Sequence, residues 1–189
     1  YFVKQLVSNV EATLNMLNRG KFVSVILNYD EKSNSLFKWY QQLIAESLGK
    51  KSQGILPIIS SMPKDNHSLM QLYLDGPKNF FFTFFFVGEK KSSKIKNKSL
   101  EKSHNFLKNK NLQNIIYSQK LATENVFKIK NIPYRSFELK SRSEEVLGEI
   151  FSFFILETIL LGKALKVNPF DQPSVELIKN ETKKILLKN

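Results

Sequence analysis

The stretch Phe80-Phe-Phe-Thr-Phe-Phe-Phe-Val87 decides the fold class of this 189-residue chain. A short, nearly continuous apolar run is typical of a strand that is covered on both faces, as in a parallel sheet. Residues 22–27 and 55–59 form two similar apolar runs earlier in the chain, and residues 134–139 form another later. These four runs predict the strands of one sheet.

Segments with helical periodicity separate the predicted strands. In residues 2–18, for example, apolar side chains recur at helical spacing and Gly20 supplies a stop. The alternation predicts an α/β fold, a parallel sheet with helices on both faces and a helix at the C-terminal end. Pro57 favours an edge position or an irregular start for its strand. The predicted helices cover residues 2–18, 34–48, 67–74, 112–126, 143–165 and 173–187.

Composition excludes several classes of protein. The chain has no cysteine, so it can form neither disulfides nor thiolate metal sites, and we expect no metal or cofactor. Its longest apolar stretch, residues 146–161, is interrupted by Glu149 and Glu157 and is shorter than the about 20 residues of a membrane span. We therefore expect no membrane association and a cytoplasmic location. Because Tyr1 is not an initiator methionine and lies in a helical pattern, we expect the natural protein to begin earlier.

The net charge of +12 suggests nucleic-acid binding, but its distribution argues against this. Only three of the 29 basic residues are arginine, and arginine is the side chain favoured for base and phosphate recognition. Residues 88–111 hold eight lysines but a single aromatic, Phe106, so no stacking platform accompanies the charge. We predict a mobile, solvated loop there, with a lysine-driven nucleic-acid binder as the weaker alternative.

Glu46 is a candidate general base. In a helix over residues 34–48 it shares one side with Trp39, Gln42 and Leu43. The negative end of the helix dipole disfavours a charged carboxylate there, and apolar and amide neighbours suit a group that transfers protons. The alternative interpretation is a surface glutamate paired with Lys50.

Two further segments contain candidate residues. His67 is predicted in the first turn of a helix capped by Asp65 or Asn66, where the positive helix end favours a neutral imidazole suited to a proton shuttle. It could equally be an idle surface histidine. Lys179 lies one turn after Val175 on the last predicted helix, and such a lysine usually extends to solvent.

Together, three blocks of sequence resemble the signature blocks of the phosphoglucose isomerase family. They are residues 41–50, QQLIAESLGK; residues 67–76, HSLMQLYLDG; and residues 168–179, NPFDQPSVELIK. The resemblance extends from about residue 20 to residue 186 and is weakest at residues 88–111. Residues 28–30 and 37–39 also look like the bacterial branch of the family.

The resemblance implies a sugar-isomerase (SIS) domain with a flavodoxin-like sheet, here residues 1–189 with a C-terminal helix, from the C-terminal part of an enzyme with two such domains. It implies interconversion of glucose 6-phosphate and fructose 6-phosphate through a cis-enediol(ate), without metal, in a homodimer. Glu46 matches the base that moves the proton between C1 and C2. His67 matches the ring-opening residue, supplied by the partner subunit, and Lys179 the lysine at the ring oxygen. Gln42 and Gln172 match substrate-contacting glutamines.

Two departures from the family pattern qualify the resemblance. The family usually has glycine where this chain has Ser174 and Ile178, and Ile178 adds bulk beside Lys179. The serine and threonine loop that holds the sugar phosphate in the family does not occur in this sequence. We therefore expect the isolated chain to be inactive. A non-catalytic SIS module that binds sugar phosphates is the alternative function.

Overall fold

The computed structural model describes residues 2–88, 92–95 and 100–188. Seven α-helices and four strands alternate along these residues. They are α1 (Phe2–Asn18), β1 (Val23–Asn28), α2 (Asn34–Leu48), β2 (Leu56–Ser61), α3 (Asp65–Ser68), α4 (Met70–Asp75), β3 (Phe80–Val87), α5 (Leu112–Ile129), β4 (Tyr134–Leu139), α6 (Glu144–Ala164) and α7 (Pro173–Leu186).

The strands form one parallel sheet in the order β2-β1-β3-β4. This order matches the first four strands of the flavodoxin-like arrangement, so the predicted fold class is confirmed. Strand β2 lies at an edge of the sheet, as Pro57 predicted, because an edge strand tolerates a residue without an N–H group.

The phenylalanine run of β3 is buried because helices cover both faces of the sheet. Phe81 and Phe85 face one side, where they join a core formed with α1, α2 and α6. Phe82, Phe84 and Phe86 face the other, where the core includes residues of α4 and α5. Successive side chains of a strand point to opposite faces, so a strand between two helical layers needs apolar residues at every position.

Most helix boundaries agree with the sequence patterns to within one residue, but α5 ends at Ile129, three residues beyond its predicted end, and the segment after β2 differs. Gly20 ends α1 with a positive φ of 74°, and Ser143 caps α6 by accepting a hydrogen bond from the Val146 N–H. The single helix predicted over residues 67–74 is wrong: Leu69, with φ −121° and ψ −18°, separates α3 from α4. Because α3 has only four residues, the helix-dipole argument for His67 loses its basis.

The predicted mobile loop falls partly outside the described residues, since residues 89–91 and 96–99 are not among them. Within the remainder, Lys102–Leu107 form a 3-10 helix and Lys94 bridges to Asn111. The mobility of this segment and the division of the chain into one domain stay predictions. Across the described ranges, no helix combines the length and apolar character required to cross a membrane.

Candidate active site

The candidate site is formed where α2 and α6 end, at the amino edge of the sheet. Helix α2 leaves the carboxyl end of β1 and runs back across the sheet, and the side chain of Gln41 reaches the Pro57 carbonyl at the start of β2. Helices α2 and α6 pack on the same face. The segment that follows α6 therefore meets the last turn of α2, which contains Glu46.

Glu46 accepts hydrogen bonds from two side-chain amides. The Gln42 Nε2 lies 3.0 Å from its Oε1, and the Gln172 Nε2 lies 2.8 Å from its Oε2. Gln42 is one turn earlier on α2, whereas Gln172 is the N-cap residue of α7, 126 residues further along the chain. Both donors are neutral, so they orient the half-buried carboxylate without adding a formal positive charge.

A cleft of about 210 Å³ adjoins this carboxylate. The end of α2 forms one wall and the start of α7 forms the other. Its lining comprises Ala45, Glu46, Gly49, Lys50, Gln172, Pro173, Ser174 and Val175. Polar groups converging on a concave surface are typical of a small-molecule site. Two of the sequence blocks that resemble the isomerase family thus face each other across one cleft.

The alternative interpretation, a surface Glu46 paired with Lys50, does not describe the contacts found. The Lys50 ammonium instead donates to the backbone carbonyl of Asn168 and pairs with the Asp171 carboxylate at 2.9 Å. The hydrogen bond from Lys50 is the main reason why the pKa of Asp171 lies below its ordinary value. Lys50 thus contacts the segment that leads to Gln172.

The predicted side of α2 is divided between packing and the cleft. Trp39 packs edge-on against Phe151 of α6, with ring centroids 4.5 Å apart, and Leu43 packs against the core. Gln42 and Glu46 lie toward the end of the helix, where Gln42 is exposed and Glu46 is half-buried. The spacing of residues on α2 therefore identified a shared side correctly, but packing against α6 decides which members are accessible.

Lys179 lies apart from the Glu46 contacts. It is 63% exposed on α7 and its Nζ pairs with Glu176 Oε1 at 2.6 Å, one turn earlier on the same helix. All described side chains of α7 are exposed, including Ile178 and Ile185. The structure thus gives Lys179 the solvent-directed position usual for such a lysine.

His67 is at the opposite edge of the sheet from Glu46. It lies in α3, shortly after the carboxyl end of β2, and it is exposed. Glu46 precedes the amino end of the same strand. Because a six-residue strand extends about 17 Å, the two side chains cannot meet within one copy of the chain. The structure therefore brings together Gln42, Glu46 and Gln172 and leaves His67 and Lys179 apart from them.

Sequence reasoning missed a buried ionic cluster beside the sheet. Arg135 donates to both carboxylate oxygens of Glu157, and also to Thr83 at 2.9 Å and Asn9 at 3.0 Å. Glu157 is 1% exposed. Burial by itself lowers the pKa of Arg135, but the Glu157 carboxylate more than offsets this and raises it. Two features of the sequence could have indicated this cluster. Thr83 is the one polar residue of the phenylalanine run, and Glu157 is an acid within an apolar helix.

A second ion pair was also missed, at the carboxyl edge of the sheet. Arg142 Nε lies 2.9 Å from Asp30 Oδ2, and its Nη2 contacts the other carboxylate oxygen. Asp30 closely follows β1 and is 6% exposed. Ligands of open α/β sheets usually bind at this edge of the sheet. In this chain the edge holds an internal ion pair. The candidate site around Glu46 lies instead at the opposite, amino edge of the sheet.

Comparison with known proteins finds relatives that are named glucose-6-phosphate isomerase. A protein of Methanococcus maripaludis named "Probable glucose-6-phosphate isomerase" is 40% identical over 162 residues, which are 85% of this chain and 36% of that protein. Glucose-6-phosphate isomerases of Mycoplasmopsis pulmonis and Methanocaldococcus jannaschii are 37% and 35% identical. They cover 94% and 88% of this chain, and the matches span 42% and 40% of those proteins. No family model matches the chain.

Solved structures support the same fold. A hypothetical protein from Thermus thermophilus superposes with a TM-score of 0.85 at 28% identity, covering 93% of this chain and 44% of that one. A glucose-6-phosphate isomerase from Chlamydia trachomatis gives a TM-score of 0.73 at 17% identity, covering 93% and 37%. The chain spans about two-fifths of the length of the curated relatives it matches. We conclude that it is homologous to one portion of the glucose-6-phosphate isomerases.

Proposed function

We propose that the protein containing this chain interconverts glucose 6-phosphate and fructose 6-phosphate in glycolysis and gluconeogenesis, as a cytoplasmic homodimer. The observation that carries the proposal is the contact between Gln172 and Glu46. It joins two sequence blocks that resemble the isomerase family in one cleft, although they are 126 residues apart in the chain. A carboxylate held by neutral donors beside a cleft is suited to general-base chemistry.

In the proposed reaction Glu46 removes the proton from C2 of the open-chain aldose. The carbonyl oxygen at C1 takes up a proton, which gives a cis-enediol(ate). Glu46 then returns its proton to C1 while the C2 hydroxyl gives up its proton and becomes the carbonyl of the ketose, so that the proton lost at the C2 oxygen balances the one gained at the C1 oxygen. The amides of Gln42 and Gln172 orient the carboxylate through their hydrogen bonds. Gln172, which lines the cleft, also lies where its amide can contact a sugar hydroxyl group. No change of oxidation state occurs outside the sugar, so a base and hydrogen-bond donors suffice.

Neither of the other two catalytic candidates contacts Glu46 within one chain in the positions described. His67 would open the sugar ring in the active site of a second copy, because it lies about 17 Å from the edge that holds Glu46. Lys179 would contact the ring oxygen after leaving its exposed pair with Glu176. Exposed pairs of this kind contribute about 0.2–1 kcal/mol, so substrate could compete for the lysine. The sugar phosphate would be held by residues outside this chain.

The test is Glu46→Gln in the complete protein, assayed for conversion of glucose 6-phosphate with a coupled dehydrogenase. The substitution preserves the shape of the side chain and removes the proton acceptor. We expect kcat to fall by about 10²- to 10⁴-fold while sugar-phosphate binding, measured by calorimetry, changes little. Glu11→Gln, an exposed glutamate on α1, is the matched control. A kcat close to that of the wild type would refute the role of Glu46.

A further inference from the structure

Lys50 connects the two segments that form the candidate site. It follows the C-cap residue of α2, four residues after Glu46, and its side chain is 11% exposed. Its ammonium donates to the Asn168 carbonyl and pairs with Asp171 at 2.9 Å. These acceptors belong to the segment between α6 and α7, which ends at Gln172.

The neighbouring contacts define the shape of that segment. Lys51 donates to the Lys166 carbonyl at 3.1 Å, and the Asn168 side chain accepts the Phe170 N–H at 3.1 Å. Lys50 differs from Lys51 because it contacts two groups and is largely withdrawn from solvent, and because Asp171 is adjacent to Gln172. A charged donor to a carbonyl is about twice as strong as a neutral one, which favours a single loop geometry.

Stability alone is a poor explanation for this arrangement. Asp171 is half exposed, with 52% of its side chain accessible, and ion pairs with such an exposed partner contribute little to the free energy of unfolding. The geometric consequence is larger, because the Gln172 amide reaches Glu46 only while the segment keeps its position. We infer that Lys50 is a positioning residue that holds residues 168–172 so that Gln172 orients the Glu46 carboxylate. This inference rests on the proposed function.

The main experiment compares Lys50→Met with Lys50→Arg in the complete protein. Methionine removes the charge at nearly constant volume, whereas arginine retains a donor cation. We expect Lys50→Met to lower kcat by about 10- to 100-fold, since a displacement of about 1 Å at a reacting group can cost about 10²-fold. KM and Tm should change little, and Lys50→Arg should recover most of the kcat. Lys130→Met, which removes a surface pair with Asp75, is the matched control.

The pH profile separates positioning from a direct electrostatic effect on the base. If Lys50 acts only by positioning Gln172, then Lys50→Met shifts the midpoint of the acidic limb of kcat/KM no further than Gln172→Ala does, because both changes remove the same hydrogen bond from Glu46. An additional shift on adding Lys50→Met to Gln172→Ala would overturn the inference, since Lys50 would then act through its charge on Glu46. A kcat within about twofold of the wild type would overturn it as well. The inference would also be overturned if loss of folded protein fully accounted for the fall in kcat.

A double-mutant cycle and a structure complete the test. Asp171→Asn should reproduce part of the loss, and the double variant with Lys50→Met should be no worse than Lys50→Met alone, because both changes release one segment. Additive losses would contradict the inference. A crystal structure of Lys50→Met should show the Gln172 amide displaced from Glu46, a readout that does not depend on turnover. Absence of isomerase activity in the wild type would refute the proposed function separately.

Discussion

Glu46 and Glu157 lie on neighbouring helices of the same face, yet their surroundings differ completely. Glu157 is 1% exposed and is bound by the guanidinium of Arg135, so its charge is compensated within the chain. Glu46 is half-buried beside a cleft and is held by two neutral amides. The guanidinium compensates the charge of Glu157, whereas the two amides donate hydrogen bonds to Glu46 without a formal charge. The buried cluster lies wholly within this chain, whereas the proposed function also requires phosphate-holding residues from outside it.

The largest expected effect follows from this difference. The 189-residue chain expressed alone should fold, because the sheet, its two helical layers and the Arg135–Glu157 cluster lie within it. It should not isomerise glucose 6-phosphate, because the phosphate-holding loop implied by the resemblance does not occur in its sequence. Orientation of a bound substrate can contribute roughly 7–11 kcal/mol to lowering a barrier.

This prediction is measured by a coupled assay of the purified chain, with circular dichroism as the control for folding. Robust isomerisation by the folded chain would mean that the Glu46 cleft is complete without further residues. An unfolded chain would mean instead that the buried cluster and the two cores are insufficient for stability.

The next effect concerns how the cleft is completed. His67→Ala in the complete protein should slow the turnover of cyclic substrate by about 10²-fold or more, since a positioned acid–base group contributes about 10²- to 10⁴-fold. Proton exchange of an open-chain sugar phosphate should change far less, because no ring must open. The comparison is made between the two rates in one preparation. An equal loss on both substrates would contradict a ring-opening role.

A mixing experiment tests whether His67 acts in the site of a second copy. In a mixed dimer one subunit carries Glu46→Gln and the other carries His67→Ala, so both substitutions fall in the same site only if each site combines residues from the two chains. If the sites are shared, each mixed dimer keeps one intact site, so refolding equal amounts together should recover about a quarter of the wild-type activity. No recovery, despite mixed dimers detected by mass spectrometry, would contradict shared sites.

Removing the charge of Glu157 should affect stability rather than chemistry. Glu157→Gln leaves Arg135 without its carboxylate in the buried cluster, and breaking a buried ion pair in this way typically costs about 3–5 kcal/mol. Glu46→Gln should change the free energy of unfolding by less than about 1 kcal/mol, because its site is open to solvent. Urea unfolding of both variants measures the contrast. Similar losses of unfolding free energy in the two variants would contradict the contrast between Glu46 and Glu157.

The smallest expected effect is a pH dependence of the free energy of unfolding that arises from the same buried cluster. Burial raises the pKa of Tyr40, which interacts with Arg135 and Glu157, from 10.0 to about 12. The unfolded chain therefore loses this proton first, and stability falls as pH rises from about 10 towards 12, by about 1 kcal/mol at pH 11. Tyr40→Phe should show a shallower decline in urea midpoints between about pH 9 and pH 11. Identical slopes would show that Tyr40 ionises equally in both states.

Much of the fold could be predicted from local patterns. Apolar runs located all four strands, and periodicity with Gly20 and Ser143 located the ends of long helices, because burial and capping act on neighbouring residues. The break at Leu69 was not predicted, since residues 67–74 fit a helical period and no glycine or proline interrupts them. The partner of Thr83 was not predicted either, because Arg135 lies 52 residues away.

The sequence by itself determined the parallel sheet with two helical layers and the resemblance of residues 41–50, 67–76 and 168–179 to one family. Only the tertiary structure decided that Gln172 rather than Lys50 contacts Glu46, and that His67 lies at the opposite edge of the sheet. The physical reason is the distance along the chain over which each kind of interaction acts. Periodicity and capping depend on residues a few positions apart, whereas the contact between Glu46 and Gln172 exists only because α2 and α6 end side by side at one edge of the sheet.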